Sequence, residues 1–354
     1  MNRRLINLLE KISAEEVDAI LITKIPNVTY FSGFRGDSSA LFIGKNFRKL
    51  ITDGRYLEQA VTQAKNFTLV EQTEGLYKKI VEEIKISGCK KIGVEGLVMT
   101  VAEHSYLKKE LADVEFKSVV LDDLRQVKDA AEIENVCRAC KIADDAFKKI
   151  LSVIKPGVRE FEVAAELEYF MRRLCSEAAD FTTIVASGWR GSLPHGTATD
   201  KKISAGELVT LDFGAIYNGY CSDITRTVCV GKASDDQKKI YNLVLDAQLY
   251  GLEIITAGKS GKEIDSAVRD RLTAAGYGRF FVHGLGHGVG LEIHDEPRLS
   301  KLSKCEKLLP NMIVTDEPGL YLGNFGGVRI EDTVLVTGGK AQPLTRSPKN
   351  LIEL

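Results

Sequence analysis

Charge of one sign is the first thing this chain lacks. Its 48 basic and 49 acidic side chains leave a formal net charge of −1 over 354 residues. A balance that even gives no bulk electrostatic case for nucleic acid or an anionic membrane. Long apolar runs are missing as well. The N-terminal stretch MNRRLINLLEKISAEEVDAI mixes acids and bases every few residues, unlike the apolar core of a signal peptide, and no run elsewhere could span a bilayer. The seven cysteines are odd in number and lack framework spacing, which fits a reducing compartment. Together these absences predict a cytoplasmic protein. What remains is ordinary for a soluble globular chain, 44% hydrophobic and 27% charged, and long enough for two domains.

Histidine is also scarce, and its distribution is uneven. Three of the five, His283, His287 and His294, fall in Phe281–Pro297, FVHGLGHGVGLEIHDEP. Glycines at 284, 286, 288 and 290 make a helix there unlikely, since each interior Gly costs roughly 0.5–1 kcal/mol relative to Ala. The four-residue step from His283 to His287 is therefore not the two-ligand helix face of an HExxH zinc site. In an extended chain the two would share a face, with glycines leaving room for a ligand against the backbone. A Gly-rich turn whose histidines merely satisfy hydrogen bonds is the competing reading.

The first 120 residues alternate strand-like and helix-like runs, which describes an α/β domain. Leu5, Leu8, Leu9 and Ile12 recur at helical spacing; VDAILIT reads as a buried strand; NVTYFSGFRGDSSALFIG reads as two strand-like runs around a loop. The polar LDDLRQVKD marks a junction, giving domains 1–124 and 125–354. Ile133, Val136, Cys137, Cys140, Phe147, Ile150 and Ile154 then trace one apolar helical stripe. That stripe accounts for the CxxC at Cys137–Cys140 as core packing, since no second pair stands at zinc-ribbon spacing. A second helix over Phe161–Leu174 leads into a strand and a loop carrying Pro194-His195. The GKS of ITAGKSGKEID lacks the glycine a phosphate loop requires, because Glu253 stands there; it reads as a helix stop followed by a new N-cap.

Carboxylates cluster in the C-terminal half. Asn218-Gly219 between alternating runs signals a two-residue hairpin turn. That register pairs Asp212 with Thr225 and puts Asp212 and Asp223 on one face as diagonal neighbours, about 7–8 Å apart at the backbone. Such carboxylates repel unless a cation lies between them, and they could reach a pair of metal ions. Two solvent-facing aspartates are the alternative. Downstream, Met312-Ile313-Val314 leads to Glu317-Pro318-Gly319, and GVRIEDTVLV reads as a strand with Arg329, Glu331 and Thr333 on one face. A glutamate inside so apolar a strand is costly unless paired or coordinated. Four carboxylates and one imidazole suit Mn²⁺, Co²⁺ or Zn²⁺ and lack the thiolates of a structural zinc site.

The order Asp, Asp eleven residues on, His within HGLGHGVG, Glu within EPG and Glu within GVRIED resembles the pita-bread dinuclear metallopeptidases. NVTYFSGFRGDSSALFI and LITDGRY resemble the N-terminal domain shared by the proline-specific branch and creatinase, and IVASG, LPHG and HGLGHGVGLEIHDEP are similar to that branch in particular, prolidase (Xaa-Pro dipeptidase) and aminopeptidase P. The resemblance covers nearly the whole chain. It implies a creatinase/prolidase-type α/β N-terminal domain followed by an α+β pita-bread catalytic domain. It also implies two divalent ions, Mn²⁺ first among them, held by Asp212, Asp223, His287, Glu317 and Glu331, with Asp223 and Glu331 touching both. His283 would bind near the scissile carbonyl, His294 would stabilise the oxyanion, His195 would sit over the substrate, and Glu317 would shuttle the proton. Tyr321 and Arg329 fall just behind the ligands, and Arg298 lies where prolidases place a carboxylate-binding arginine. All expected ligands are present, which speaks against the metal-free creatinase branch and against non-catalytic peptide-binding domains on this scaffold. The expected partners are small peptides with proline in second position and a second copy of the chain, with no nucleic acid and no membrane.

Overall fold

The computed structural model describes residues 3–354, in two compact units, Met1–Arg125 and Gln126–Leu354. In the first, strands β1 (Ala19–Ile22), β2 (Ser39–Gly44), β3 (Phe47–Asp53), β4 (Thr68–Gln72), β5 (Lys91–Val94) and β6 (Glu115–Ser118) form one sheet of order β4-β3-β2-β1-β5-β6. Pairing is antiparallel for β1 with β2 and β2 with β3, and parallel toward both edges. Helices α1 (Arg3–Ala14), α2 (Ile25–Ser32), α3 (Leu57–Gln63), α4 (Leu76–Ser87) and α5 (Val101–Glu110) flank it. Strand β1 is AILI, buried at every position, as a central strand covered on both faces must be.

One expectation fails here. IPNVTYFS, whose NVTYFS part reads from sequence as a strand, is helix α2. Pro26 occupies the helix's first turn, where its missing N–H costs nothing, and Gly33 closes the helix in the left-handed region at φ 78°. Terminal signals outweigh the β-propensity of Val, Thr, Tyr and Phe in so short a run.

The second unit has two helix pairs, each with its own core. Helices α6 (Ala130–Ile150) and α7 (Glu160–Arg173) pack Ala143, Phe147, Ile150, Val163 and Leu167 against Val209, Leu211, Phe213 and Ile224. Those four residues lie on or beside β7 (Ile184–Ser187), β8 (Leu208–Phe213), β9 (Ile216–Tyr217), β10 (Tyr220–Cys221) and β11 (Ile224–Cys229). Helices α8 (Asp235–Ile254) and α9 (Gly261–Ala274) pack Tyr241, Val244, Ile264 and Val268 against Leu285, Leu299, Val314 and Val328. The strands on that side are β12 (Gly286–Gly288), β13 (Asp295–Leu299), β14 (Ile313–Asp316), β15 (Gly319–Leu322), β16 (Gly326–Arg329), β17 (Asp332–Leu335) and β18 (Gln342–Pro343). The GKS segment behaves as its sequence suggests. Gly258 is left-handed after α8, and Ser260 caps α9 in a capping box with Glu263. Cys140 is fully buried on α6, and the cysteines are free thiols.

The hairpin register is the one the Asn-Gly turn dictates. Thr225 pairs with Asp212, and Tyr220 with Tyr217, around Asn218 and Gly219 at φ 49° and 80°. The ladder is interrupted at Gly214, where a Cβ would lie 2.0 Å from the Ser222 carbonyl oxygen. Only glycine lets the two strands close that tightly, and the pinch sits beside Asp212 and Asp223. GVRIEDTVLV is likewise broken. Ile330 and Glu331 separate β16, which pairs with β15, from β17, which pairs with β14.

Candidate metal centre

Both arms of the β8/β11 hairpin, the end of β14 and the β16–β17 break deliver carboxylates to one cavity of about 480 Å³. Asp212, Asp223, Glu317 and Glu331 line it with His195, His283, His287, His294, Arg298 and Arg329. Of the expected site residues, Tyr321 alone does not line it. The Tyr321 hydroxyl instead accepts from Arg329 Nη1 at 2.7 Å and meets His283 Nε2 at 2.8 Å, so it acts from behind the wall.

Two of the carboxylates, Asp212 and Glu331, are held by one oxygen and leave the other without a partner. Asp212 Oδ2 accepts from Arg329 Nη2 at 2.6 Å, and Glu331 Oε2 accepts from Thr225 Oγ1 at 2.6 Å. Asp212 Oδ1, Asp223 Oδ1 and Glu331 Oε1 are buried with no hydrogen-bond partner. Thr225 is a hub missed from the sequence, since it also accepts from Arg329 Nε at 2.9 Å. Its pairing opposite Asp212 was the available signal. Thr315, on β14, is a second. It holds Glu317 Oε1 at 3.0 Å and accepts from the His287 amide at 3.0 Å. Phe181, Thr182 and Ile293 complete the wall. Nothing in their local pattern marks them; only the fold brings them in.

His287 sits on β12 between β13 and β14, where Gly286 passes so close that a Cβ would lie 2.1 Å from the Thr315 carbonyl oxygen. Its Nδ1 is 3.1 Å from the Gly288 carbonyl, so Nδ1 carries the proton and Nε2 presents a lone pair. That lone pair faces Asp223 Oδ2 at 3.5 Å and Glu317 Oε1 at 3.4 Å. Burial, then the neighbouring His294, depresses the imidazole to about 3, so no second proton bridges these acceptors. Burial and mutual repulsion push the Asp223 and Glu331 carboxyls well up, and burial takes Glu317 to about 7. Acceptors facing acceptors in a dry site is the arrangement a cation resolves. Ligand atoms of Asp223, His287 and Glu331 lie within 4.8 Å of one another, close enough to share an ion.

The other histidines are disposed differently. His283 is half-buried, and its imidazole is depressed to about 4, first by desolvation and then by Arg329. Its Nδ1 donates to the Gly284 carbonyl at 2.7 Å, and its Nε2 accepts from the Tyr321 hydroxyl at 2.8 Å, since that hydroxyl already accepts from Arg329. To donate to a bound carbonyl, Nε2 must release Tyr321 and gain a proton. His294 is exposed at the cavity edge, its ring 4.5 Å from that of His287 in a T-shaped contact. Arg298 is half-buried in the wall, and among the described residues its guanidinium has no hydrogen-bond or ion-pair partner.

Comparison with known proteins agrees with this geometry. Residues 134–338 match the model of metallopeptidase family M24. The chain belongs to that family. Residues 4–127 match the creatinase/prolidase N-terminal domain, so the fold is that domain followed by an M24 catalytic domain. An Xaa-Pro dipeptidase of Pyrococcus horikoshii is 39% identical over 99% of each chain. The solved structure of an Xaa-Pro dipeptidase from Bacillus anthracis superposes with a TM-score of 0.96 at 44% identity, covering 99% of each chain. That of an X-Pro aminopeptidase from Thermotoga maritima gives 0.92 at 37% over the whole of both. This M24 chain is therefore a peptidase, and its family implies divalent-metal binding.

Proposed function

We propose that the chain is a metal-dependent Xaa-Pro peptidase that hydrolyses the bond between an N-terminal residue and proline, with Xaa-Pro dipeptides its favoured substrates. The observation that carries this is a set of three buried, unpartnered carboxylate oxygens, Asp212 Oδ1, Asp223 Oδ1 and Glu331 Oε1, on the residues that line one cavity with His287, whose Nε2 lone pair faces Asp223 and Glu317. Asp212, Asp223, His287, Glu317 and Glu331 would hold two divalent cations, Asp223 and Glu331 serving both. Mn²⁺ is the first expectation, and Co²⁺ or Zn²⁺ also suit oxygen ligands with one nitrogen. When bound, the pair supplies a water nucleophile at neutral pH and polarises the scissile carbonyl.

The chain's own groups do the rest. Thr315 occupies Glu317 Oε1, which leaves Oε2 to take the attacking water's proton and return it to the leaving nitrogen. His294 at the cavity edge would donate to the developing oxyanion, and His195 would close over the substrate. His283 would meet the scissile carbonyl after exchanging its Tyr321 contact. Arg329 fixes Asp212 and neutralises part of the cluster. The unpaired Arg298 favours a free carboxylate on the proline, hence a dipeptide over the longer peptides of an aminopeptidase P. A bond to proline is a tertiary amide with no N–H, so proteases that grip that N–H lose their hold. The reading includes a homodimer in the cytoplasm, with no nucleic-acid or membrane partner.

The test is release of the N-terminal alanine from Ala-Pro, Ala-Pro-Ala and Ala-Ala by chelated and by metal-reconstituted protein. Activity should be absent after chelation, return with Mn²⁺, and rank Ala-Pro first. Full activity in chelated protein, or equal rates on Ala-Ala, would overturn it.

A further inference from the structure

Outside the carboxylate cluster, the second unit holds a buried acid that gathers a whole loop around itself. Glu160, the first residue of α7, is 0% exposed. Its Oε1 accepts from the Ser187 amide at 2.8 Å and from Ser187 Oγ at 2.8 Å. Its Oε2 accepts from the Thr199 amide at 3.1 Å, from Thr199 Oγ1 at 2.8 Å, and from Arg190 Nη1. Arg190 then extends the link, donating through Nη2 to the Thr197 carbonyl at 2.7 Å. One carboxylate thus ties both ends and the middle of the segment 187–199.

That segment carries His195. Its ring is exposed to the cavity, and among the described residues nothing hydrogen-bonds it. The position of the imidazole is therefore set by loop backbone alone. Two further ties fix that backbone: Arg329 Nη1 donates to the Pro194 carbonyl at 3.1 Å, and the Thr197 amide to the His195 carbonyl at 2.9 Å. An apolar residue at 160 would leave the Ser187 and Thr199 amides and the Arg190 guanidinium without their acceptor, so what this acid serves is the loop.

We propose that Glu160 is a positioning residue for the reaction, acting through the Ser187–Thr199 loop to hold His195 over the substrate. The inference rests on the Xaa-Pro peptidase reading for its catalytic consequence, though not for the anchoring itself. Glu160→Gln is the informative change. Both oxygens face only donors, so the amide nitrogen opposes N–H or O–H groups in either orientation, while size is preserved.

The loop also contains its own reporter. Trp189, the chain's single tryptophan, lies in the short 3₁₀ turn Gly188–Ser192 and is 55% exposed. In metal-free Glu160→Gln its time-resolved anisotropy should decay faster and its quenching by acrylamide should rise; unchanged values would overturn the anchoring whatever the enzyme cleaves. On Ala-Pro, Glu160→Gln should lower kcat/KM about 10- to 100-fold with metal content unchanged, as misplacement of a group by about 1 Å does. In a His195→Ala background the same change should cost less than about 2-fold, because the group it positions is gone. Equal losses in both backgrounds, or loss of metal, would overturn the positioning role. Arg190→Lys, which keeps the charge but loses the fork joining Glu160 to Thr197, should reproduce both effects if Glu160→Gln does not fold. Freer Trp189 in a protein inactive on every Xaa-Pro substrate would leave the anchor standing and refute the function reading alone.

Discussion

Asp223→Asn should make the metal-free protein more stable and the metal-loaded protein less so. In the absence of metal, Asp223 is 5% exposed, lacks a partner at Oδ1, and is crowded by Glu331, Asp212 and Glu317. Leaving a buried polar group unsatisfied costs about 1–3 kcal/mol, more for a charged one. Asparagine removes the charge and offers two N–H donors to surrounding carboxylates. At about 2–4 °C per kcal/mol for a unit of this size, Tm in chelator should rise by about 2–12 °C. With metal the sign reverses. Ligand at about 1,000 times its Kd adds about 4 kcal/mol to the wild type, or about 8–16 °C, and under the proposed ligand set that gain would need the Asp223 carboxylate. Calorimetry of both proteins, in chelator and in Mn²⁺, with metal content by mass spectrometry, gives four numbers. The expected pattern is a crossing: the variant above wild type when metal-free, below it when loaded, and inactive throughout. A variant less stable than wild type in chelator, or one with an undiminished metal-induced rise, would refute the reasoning.

Arg298→Ala should lower kcat/KM for Ala-Pro by roughly 10- to 150-fold, the worth of about 1.5–3 kcal/mol for a hydrogen bond to a charged group, and Ala-Pro-Ala far less. An unchanged dipeptide-to-tripeptide ratio would assign the enzyme to longer peptides. His294→Ala should reduce kcat about 10²–10³-fold with metal retained; stoichiometric metal loss would make His294 a ligand instead. Asp180 supplies a pH test, because burial lifts its carboxyl to about 7 and only the Cys221 thiol donates to it, at 3.1 Å. A folded pKa raised above the ordinary 3.8 makes its stabilising contribution full below about pH 4 and lost as pH rises through 7. Relative to Asp180→Asn, metal-free wild type should therefore lose about 1–3 kcal/mol between pH 4 and 8 in urea titrations, solvent access to the half-buried group trimming the about 4 kcal/mol limit. A pH-independent difference would refute it.

Much of this site is legible in the chain because its chemistry is carried by local signals. Asn218-Gly219 sets the hairpin register, and with it Asp212 opposite Thr225, since a two-residue turn admits one pairing. Glycine density around His283 and His287 announces close backbone approach, which Gly286 makes against Thr315. A glutamate within the apolar run GVRIEDTVLV marks Glu331 as paired or coordinated before any fold is known, although the run breaks at Ile330 and Glu331 instead of continuing as one strand. Where local signals compete, the sequence misleads. NVTYFS has strand-forming residues yet is helical, because Pro26 and Gly33 decide the ends of a short element.

Only the tertiary structure decided which groups meet. Thr225, Arg329 and Asp212 form one chain of hydrogen bonds across 117 residues of sequence, and Tyr321 turns out to serve His283 rather than the cavity. Phe181 and Thr182 enter the wall, and Glu160 reaches Ser187, Arg190 and Thr199, through packing that no periodicity encodes. The reason is physical. Residue type and spacing fix what a short segment can do by itself, whereas a proton's owner, a lone pair's direction and a carboxylate's missing partner are set by neighbours that arrive from elsewhere in the chain.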